Sequence, residues 1–217
     1  MLKHYIDLFW SRFHFRRGLR LLGRSMFQKA ASHFEKSMLL DGLTESFFYF
    51  AICMIALNRH NHAIKYLEDI LEKHDDNMLA ATTLAECYMV VREWDKAERI
   101  LGVLQSKYTE NLTIKYLYVT VSDPAERERY AQAKEYFFLA KEALEKKQYD
   151  TAIDNITKAI DRNDTNASYY FFASIVMLEA KRDKKEVEQY LEKAVYLRPN
   201  NESYKRQLRY VKMRYKS

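Results

Sequence analysis

Side chains of one kind recur along this chain at steps of three, four and three. Four such sets share a register: Phe27, Ala30, Phe34 and Ser37; His60, Ala63, Leu67 and Ile70; Trp94, Ala97, Leu101 and Leu104; Tyr149, Ala152, Ile156 and Ala159. That spacing places each set on one face of a helix. The alanines stand 33, 34 and 55 residues apart, the last step being one period of 34 with 21 residues added. A more degenerate fifth set, Lys184, Val187, Leu191 and Ala194, is followed by Leu197 and Pro199. Upstream of the sets lie matching first helices, in which Phe47, Phe50, Ala51 and Met54 align with Ala81, Leu84, Ala85 and Tyr88, and with Tyr136, Leu139, Ala140 and Ala143. A pair of short amphipathic helices cannot bury its own apolar face. Copies must therefore stack into a solenoid with an exposed inner surface.

The pattern resembles the tetratricopeptide repeat (TPR), which carries a small residue at its eighth place, a bulky one at the eleventh, an aromatic at the seventeenth, alanine at the twentieth and often proline at the thirty-second. Here the eighth place reads Ala51, Ala85, Ala140 and Ile175, only the last unit has the proline, Pro199, and most units lack turn glycines. The resemblance is good over 44–111 and 133–201, fair over 24–43 and weak elsewhere. It implies an all-α fold, a right-handed α-solenoid of four to five TPR-like helix pairs forming one domain over 1–217. The repeats fall at about 9–43, 44–77, 78–111, 133–166 and 168–201, with a degenerate half-repeat inserted at 112–132 and a C-terminal capping helix at 202–217.

Within the insertion, Leu112, Tyr116 and Val119 share a helical stripe that Leu117 and Val121 widen. Ile114–Val121 also has the β-branched and aromatic content of a strand; its helical neighbours favour helix. Asp123 and Pro124 read as the cap and first residue of a long helix running through Glu145, with Glu126 and Glu128 suited to its positive start. At the C-terminus Tyr204, Leu208, Val211 and Tyr215 form one apolar face, with Lys205, Arg206, Arg209, Lys212 and Arg214 opposite or flanking. At the other end, Phe15, Leu19 and Leu22 form a core stripe if Gly23 begins a turn with one extra residue, leaving Phe13, Arg17 and Arg20 towards the groove. Phe9 and Trp10, beside Arg12 and Arg16, have three readings: packing on the first helix pair, binding a partner or another copy, or lying at an anionic membrane surface.

Composition narrows the function. With 48% hydrophobic residues, 4 Gly and 2 Pro, the chain suits helices joined by tight turns. Its longest apolar run, Phe47–Leu57, is too short to span a bilayer, and the first residues lack a continuous signal-peptide core, so a cytoplasmic location is expected. Cys53 and Cys87, 34 apart, occupy equivalent places in successive first helices and are expected to be buried thiols. His60 and His62 have no third ligand at a useful spacing, so neither metal nor cofactor is expected. Phosphate-loop glycines, a nucleophile elbow and a catalytic triad spacing are all missing, and the carboxylates of Glu68–Glu72 and Glu142–Glu145 belong to solvated helix faces; the chain reads as non-enzymatic. The net charge of +6 is uneven. Residues 1–43 hold 8 Lys and Arg against 3 Asp and Glu, residues 44–111 hold 7 against 11, residues 112–166 hold 9 against 10, and residues 167–217 hold 12 against 6. Two basic ends around an acidic middle could mediate self-association, while nucleic acid binding would want charge along the groove instead.

In the resembled family the second, fifth, ninth and twelfth places of each first helix face the concave surface. The resemblance thus implies Glu45, Phe48, Ile52 and Ile55; Leu79, Thr82, Glu86 and Met89; Lys134, Phe137, Lys141 and Leu144; and Tyr169, Phe172, Val176 and Glu179. From these we take Phe48, Ile52, Thr82, Glu86, Phe137, Lys141, Tyr169 and Phe172 as candidate partner-binding residues. An aromatic row at a groove mouth suits an apolar protein segment. The lysine and asparagine pair with which chaperone-type members grip a C-terminal carboxylate is missing. The expected function is a protein-interaction scaffold or adaptor; the alternative is a structural component, a homo-oligomer assembling through basic termini and acidic middle.

Overall fold

The structure, a computed structural model, describes residues 2–41 and 44–214. Among them the chain forms twelve α-helices: α1 (Leu2–Leu22), α2 (Phe27–Asp41), α3 (Thr44–Ala56), α4 (His60–Lys73), α5 (Met78–Val90), α6 (Trp94–Lys107), α7 (Leu112–Ser122), α8 (Pro124–Glu145), α9 (Tyr149–Arg162), α10 (Ala167–Glu179), α11 (Lys184–Leu197) and α12 (Glu202–Arg214). The fold is an all-α solenoid arrangement of antiparallel hairpins. The chain divides into two compact units, Met1–Pro124 and Ala125–Ser217. The first stacks α1/α2, α3/α4 and α5/α6 and ends with α7; the second contains α8/α9, α10/α11 and α12. The stretch 112–121 is helical, and α8 starts at Pro124 as its sequence suggests.

Two recurring turns set the hairpin geometry. Between the helices of each hairpin one non-glycine residue adopts a left-handed conformation: Ser25 (φ 57°), Asn58 (59°), Arg92 (64°), Lys147 (58°) and Lys181 (55°). In each turn the following amide reaches back to a carbonyl five residues earlier, as in Arg59 N to Met54 O at 2.8 Å, Glu93 N to Tyr88 O at 2.9 Å and Arg182 N to Met177 O at 2.9 Å. These are Schellman closures, normally built on glycine. A side chain in that conformation costs about 1–2 kcal/mol, less for asparagine. Arg92→Gly, Lys147→Gly and Lys181→Gly should therefore each raise the unfolding free energy by about 0.5–1 kcal/mol once glycine's extra unfolded-state entropy is counted. Asn58→Gly should gain less. Urea midpoints check this, and no gain at the three basic positions would contradict it.

Between hairpins, asparagine caps the next first helix. Asn77 Oδ1 accepts from Ala80 N at 3.0 Å, Asn111 Oδ1 from Thr113 N and Ile114 N at 3.1 and 3.2 Å, Asn166 Oδ1 from Ser168 N at 3.1 Å, and Asn201 Oδ1 from Ser203 N and Tyr204 N at 3.0 and 3.2 Å. Helix α7 is thus started in the same way as the first helices α5 and α10, which fits a half-repeat.

Small residues fill the close approaches. Ala30, Ala63, Ala97 and Ala152 are fully buried, as are Ala51, Ala85 and Ala140. Counting back seven residues from each left-handed turn gives these same first-helix alanines, and for the end hairpins it gives Gly18 and Ser174. Two registers read from sequence are corrected accordingly. Ser174, fully buried, holds the close approach in α10, whereas Ile175 is only half-buried. In α1 the packed residues are Ser11 and Gly18, with Phe15, Leu19 and Leu22 half-buried, because the turn that begins at Gly23 closes on Ser25 without an extra residue. Ser11, Ser37 and Ser46 meet in a buried hydroxyl cluster joining α1, α2 and α3, with Ser11 Oγ donating to Ser37 O at 3.1 Å and Ser37 Oγ 2.8 Å from Ser46 Oγ. Beside it, His14 Nδ1 and His33 Nδ1 lie 2.9 Å apart. Burial first, then Lys36 for His14 and the His14 ring for His33, lowers both pKa values, and the ring contact ties α1 to α2.

At the C-terminus Val211 is buried with Met177, Val187 and Leu191, Leu208 packs against them, and Tyr204 stacks on Phe171 at 4.6 Å. Tyr215 lies outside the described residues. Cys53 and Cys87 are both buried, and burial pushes the Cys53 thiol up to about 11.

Candidate partner-binding faces

In the first unit, Phe48 and Ile52 stand one turn apart on α3, both half-buried. The inward side of that helix is held by Ser46, Ala51, Cys53 and Met54, and Phe47 and Phe50 turn towards Tyr66 of α4. This leaves Phe48 to contact Tyr49 edge-on, with ring centroids 5.7 Å apart. On α5, Thr82 is half-buried and its hydroxyl donates to Met78 O at 2.8 Å, while Glu86 is exposed. Met89, assigned by the resemblance to the same concave row, is buried in the core.

In the second unit, Phe137 of α8 meets Tyr169 and Phe172 of α10, with centroids 4.9 and 5.2 Å apart, the latter edge-to-face at 83°. Lys141 Nζ stands 5.3 Å above the Phe137 ring. Burial, then the neighbouring Lys134, lowers the pKa of Lys141, against the opposing pull of Glu145. The structure therefore gathers Phe137, Lys141, Tyr169 and Phe172 into one cluster, but not on one exposed row. Tyr169 is 1% exposed and belongs to the core with Ala133, Ala140, Ile156 and Ala173; Val176 is also buried. The expectation that Tyr169 and Val176 face a groove is thus corrected. A register slipped by one residue rotates a helix face by about 100°, and with Ser174 as the eighth place the concave places of α10 become Ser168, Phe171, Ile175 and Leu178. Phe172 takes the sixth place, and packs on the core clusters of α8 and α9.

The same correction at α1 moves Arg12, Phe15, Leu19 and Leu22 into the concave places. Arg12, Phe15, Arg16 and Leu19 indeed line a hollow of about 470 Å³ together with Glu45, the second place of α3. Sequence reasoning missed this hollow. Its signal was the small residue Gly18 seven positions ahead of Ser25.

Residues 48–117 match the sequence profile described as "Tetratricopeptide repeat". That stretch carries the tetratricopeptide repeat. No curated protein matches the chain. Among solved structures, this chain is similar to the APC/C hetero-tetramer Cut9-Hcn1 (16% identity, 93% of this chain and 42% of that one, TM-score 0.49). It is also similar to the TPR2AB domain of yeast Sti1 in a pHSP90 complex (15% identity, 94% and 83%, TM-score 0.47). A third is TTC0263, a thermophilic TPR protein of Thermus thermophilus (14% identity, 94% and 99%, TM-score 0.49). The chain thus spans less than half the length of the Cut9-Hcn1 chain it resembles.

Proposed function

We propose that this TPR protein is a non-catalytic interaction scaffold that holds an apolar segment of a partner protein along its first helices. One observation carries the reading. In the corrected register the fifth place is phenylalanine in four of five first helices, Phe15, Phe48, Phe137 and Phe171, and every one of these rings stays partly exposed. The ninth places beside them are Leu19, Ile52, Lys141 and Ile175. A solenoid gains nothing from leaving such rings half in water, whereas an apolar ligand would cover them. The partly desolvated Lys141 ammonium over Phe137 would favour a ligand with a carboxylate or carbonyl beside its apolar residues. Glu86, exposed on α5 of the first unit, would help set the ligand's register. The repeat family itself supports the scaffold class, and a cytoplasmic location remains part of this reading.

The test is crosslinked capture from native extract at low and high salt. Phe48→Ala/Phe137→Ala should lose the main partner more than about tenfold at both salts, because anchors of this kind each contribute more than about 1 kcal/mol. Apolar contacts hold as salt rises, whereas contacts between exposed charges weaken. Lys141→Gln, which removes the ammonium without deleting a ring, guards against simple loss of folding, with helix content checked by circular dichroism. If the folded variants keep every partner and only salt releases them, the groove reading fails and the basic ends carry the binding.

A further inference from the structure

The exposed face of α1 serves neither the core nor the fifth-place row. Tyr5, Phe9, Trp10 and Phe13 are 66, 65, 47 and 42% exposed, and Ile6 shows nearly half its surface. Trp10 contacts Phe9 and Phe13 at 5.7 and 5.4 Å, so these rings pack along their own helix. Of the three sequence readings of Phe9 and Trp10, packing on the first helix pair is therefore the one corrected. Along the same side, Arg12, Arg16, Arg17 and Arg20 follow, with Arg24 in the turn; among the described residues none of the five is in an ion pair. The acidic residue of α1, Asp7, lies one turn before buried Ser11, on the packed side. Glu45 of α3 borders the face only at Arg12 and Arg16. The places that hold buried Ser46, Cys53 and Met54 in α3 carry Phe13, Arg20 and Leu21 in α1.

We propose that α1 lies flat on an anionic phospholipid surface, its guanidinium groups on lipid phosphates and its aromatic half at the acyl boundary. Charge complementarity selects this occupant: the face carries arginines and no acid, and the guanidinium fork matches phosphate oxygens. Shape selects a surface over a peptide. The trough along this face, about 690 Å³, is lined by Tyr5, Phe9, Phe13 and the arginines, all from α1 and the turn after it, so it has one wall and not the two a peptide slot needs. Rings and arginines lie on one side over about 16 Å from Phe9 to Arg20, the arrangement of an interfacial helix. Among the described residues no helix is long and apolar enough to cross a membrane, so contact is peripheral.

Flotation of the full chain with vesicles tests this. Phosphatidylcholine vesicles should bind little, and vesicles mixed with phosphatidylglycerol should bind well. Arg16→Gln/Arg20→Gln should weaken binding to the mixed vesicles about thirtyfold, with helix content unchanged. Brominated lipid should quench the wild type more than Trp10→Phe, which keeps Trp94 as its remaining tryptophan. Equal binding to both vesicles, or binding unaffected by the arginine changes, would overturn the assignment. So would failure to bind vesicles alongside retention on a polyglutamate resin that Arg16→Gln/Arg20→Gln abolishes, which would give the face to an acidic protein. None of these readouts depends on Phe48 or Phe137.

Discussion

Phe34→Ala should destabilise the first unit by about 3–5 kcal/mol, the usual cost of emptying a buried aromatic site. The Phe34 ring is fully buried, stacked on Tyr49 at 5.6 Å and meeting Phe15 at 5.9 Å, so helices α1, α2 and α3 all close around it. Its remaining side faces Gly18. A Cβ added there would come 2.7 Å from Phe34 Cε1 and 2.9 Å from Cδ1 and Cζ. Gly18→Ala should accordingly be destabilising. Its helix-propensity gain of about 1 kcal/mol is outweighed by overpacking of about 1–3 kcal/mol, because rings on two sides prevent Phe34 from moving away. In a Phe34→Leu background the same change should cost less or become stabilising. Urea midpoints at unchanged m-value measure the cycle. A stabilising Gly18→Ala in the wild-type background would show that the ring can yield, and the close approach would lose its role.

Ile156→Ala should have a comparable effect in the second unit, about 2–5 kcal/mol, with Ile156→Val costing about 0.5–1.5. Ile156 is fully buried against Ala133, Ala140, Tyr169 and Ala173, and Phe137 and Phe172 rest on that cluster. The alanines around it are too small to fill the cavity, and Tyr169 would have to leave its contact with Phe137 to do so. Each hairpin is supported by its neighbours, so hydrogen exchange should quicken first in α8, α9 and α10. The same variant should loosen the Phe137 and Lys141 arrangement and weaken partner capture even where the protein remains folded. A small loss spread evenly over all helices would contradict this account.

Much of the fold is legible in the residues because it is written locally. The alanines of the second helices and the alanines of α3, α5 and α8 fall where two helices approach within a small side chain's reach. Pro124 can sit only in a first turn, and it marks the start of α8. The caps Asn77, Asn111, Asn166 and Asn201 are equally local, one at the head of each of four helices, and go unread only because asparagine is common in loops. The candidate site is less legible. Glycine, the usual marker of a hairpin turn, is replaced once by asparagine, which tolerates a left-handed backbone, and elsewhere by serine, arginine or lysine, which have no local reason to adopt one. Without that marker Ile175 passes for the close-approach residue, and Tyr169 for an exposed one.

The sequence by itself determined the period of about 34 residues and the helix pairs, because helix periodicity acts over a few neighbouring residues. Only the tertiary structure decided which side of α1 and of α10 is covered. A helix keeps its internal hydrogen bonds whichever face it buries, and one residue of slip changes every partner. The contacts of Gly18 with Phe34 and of Tyr169 with Phe137 fix that rotation, and they come from helices far apart in the chain.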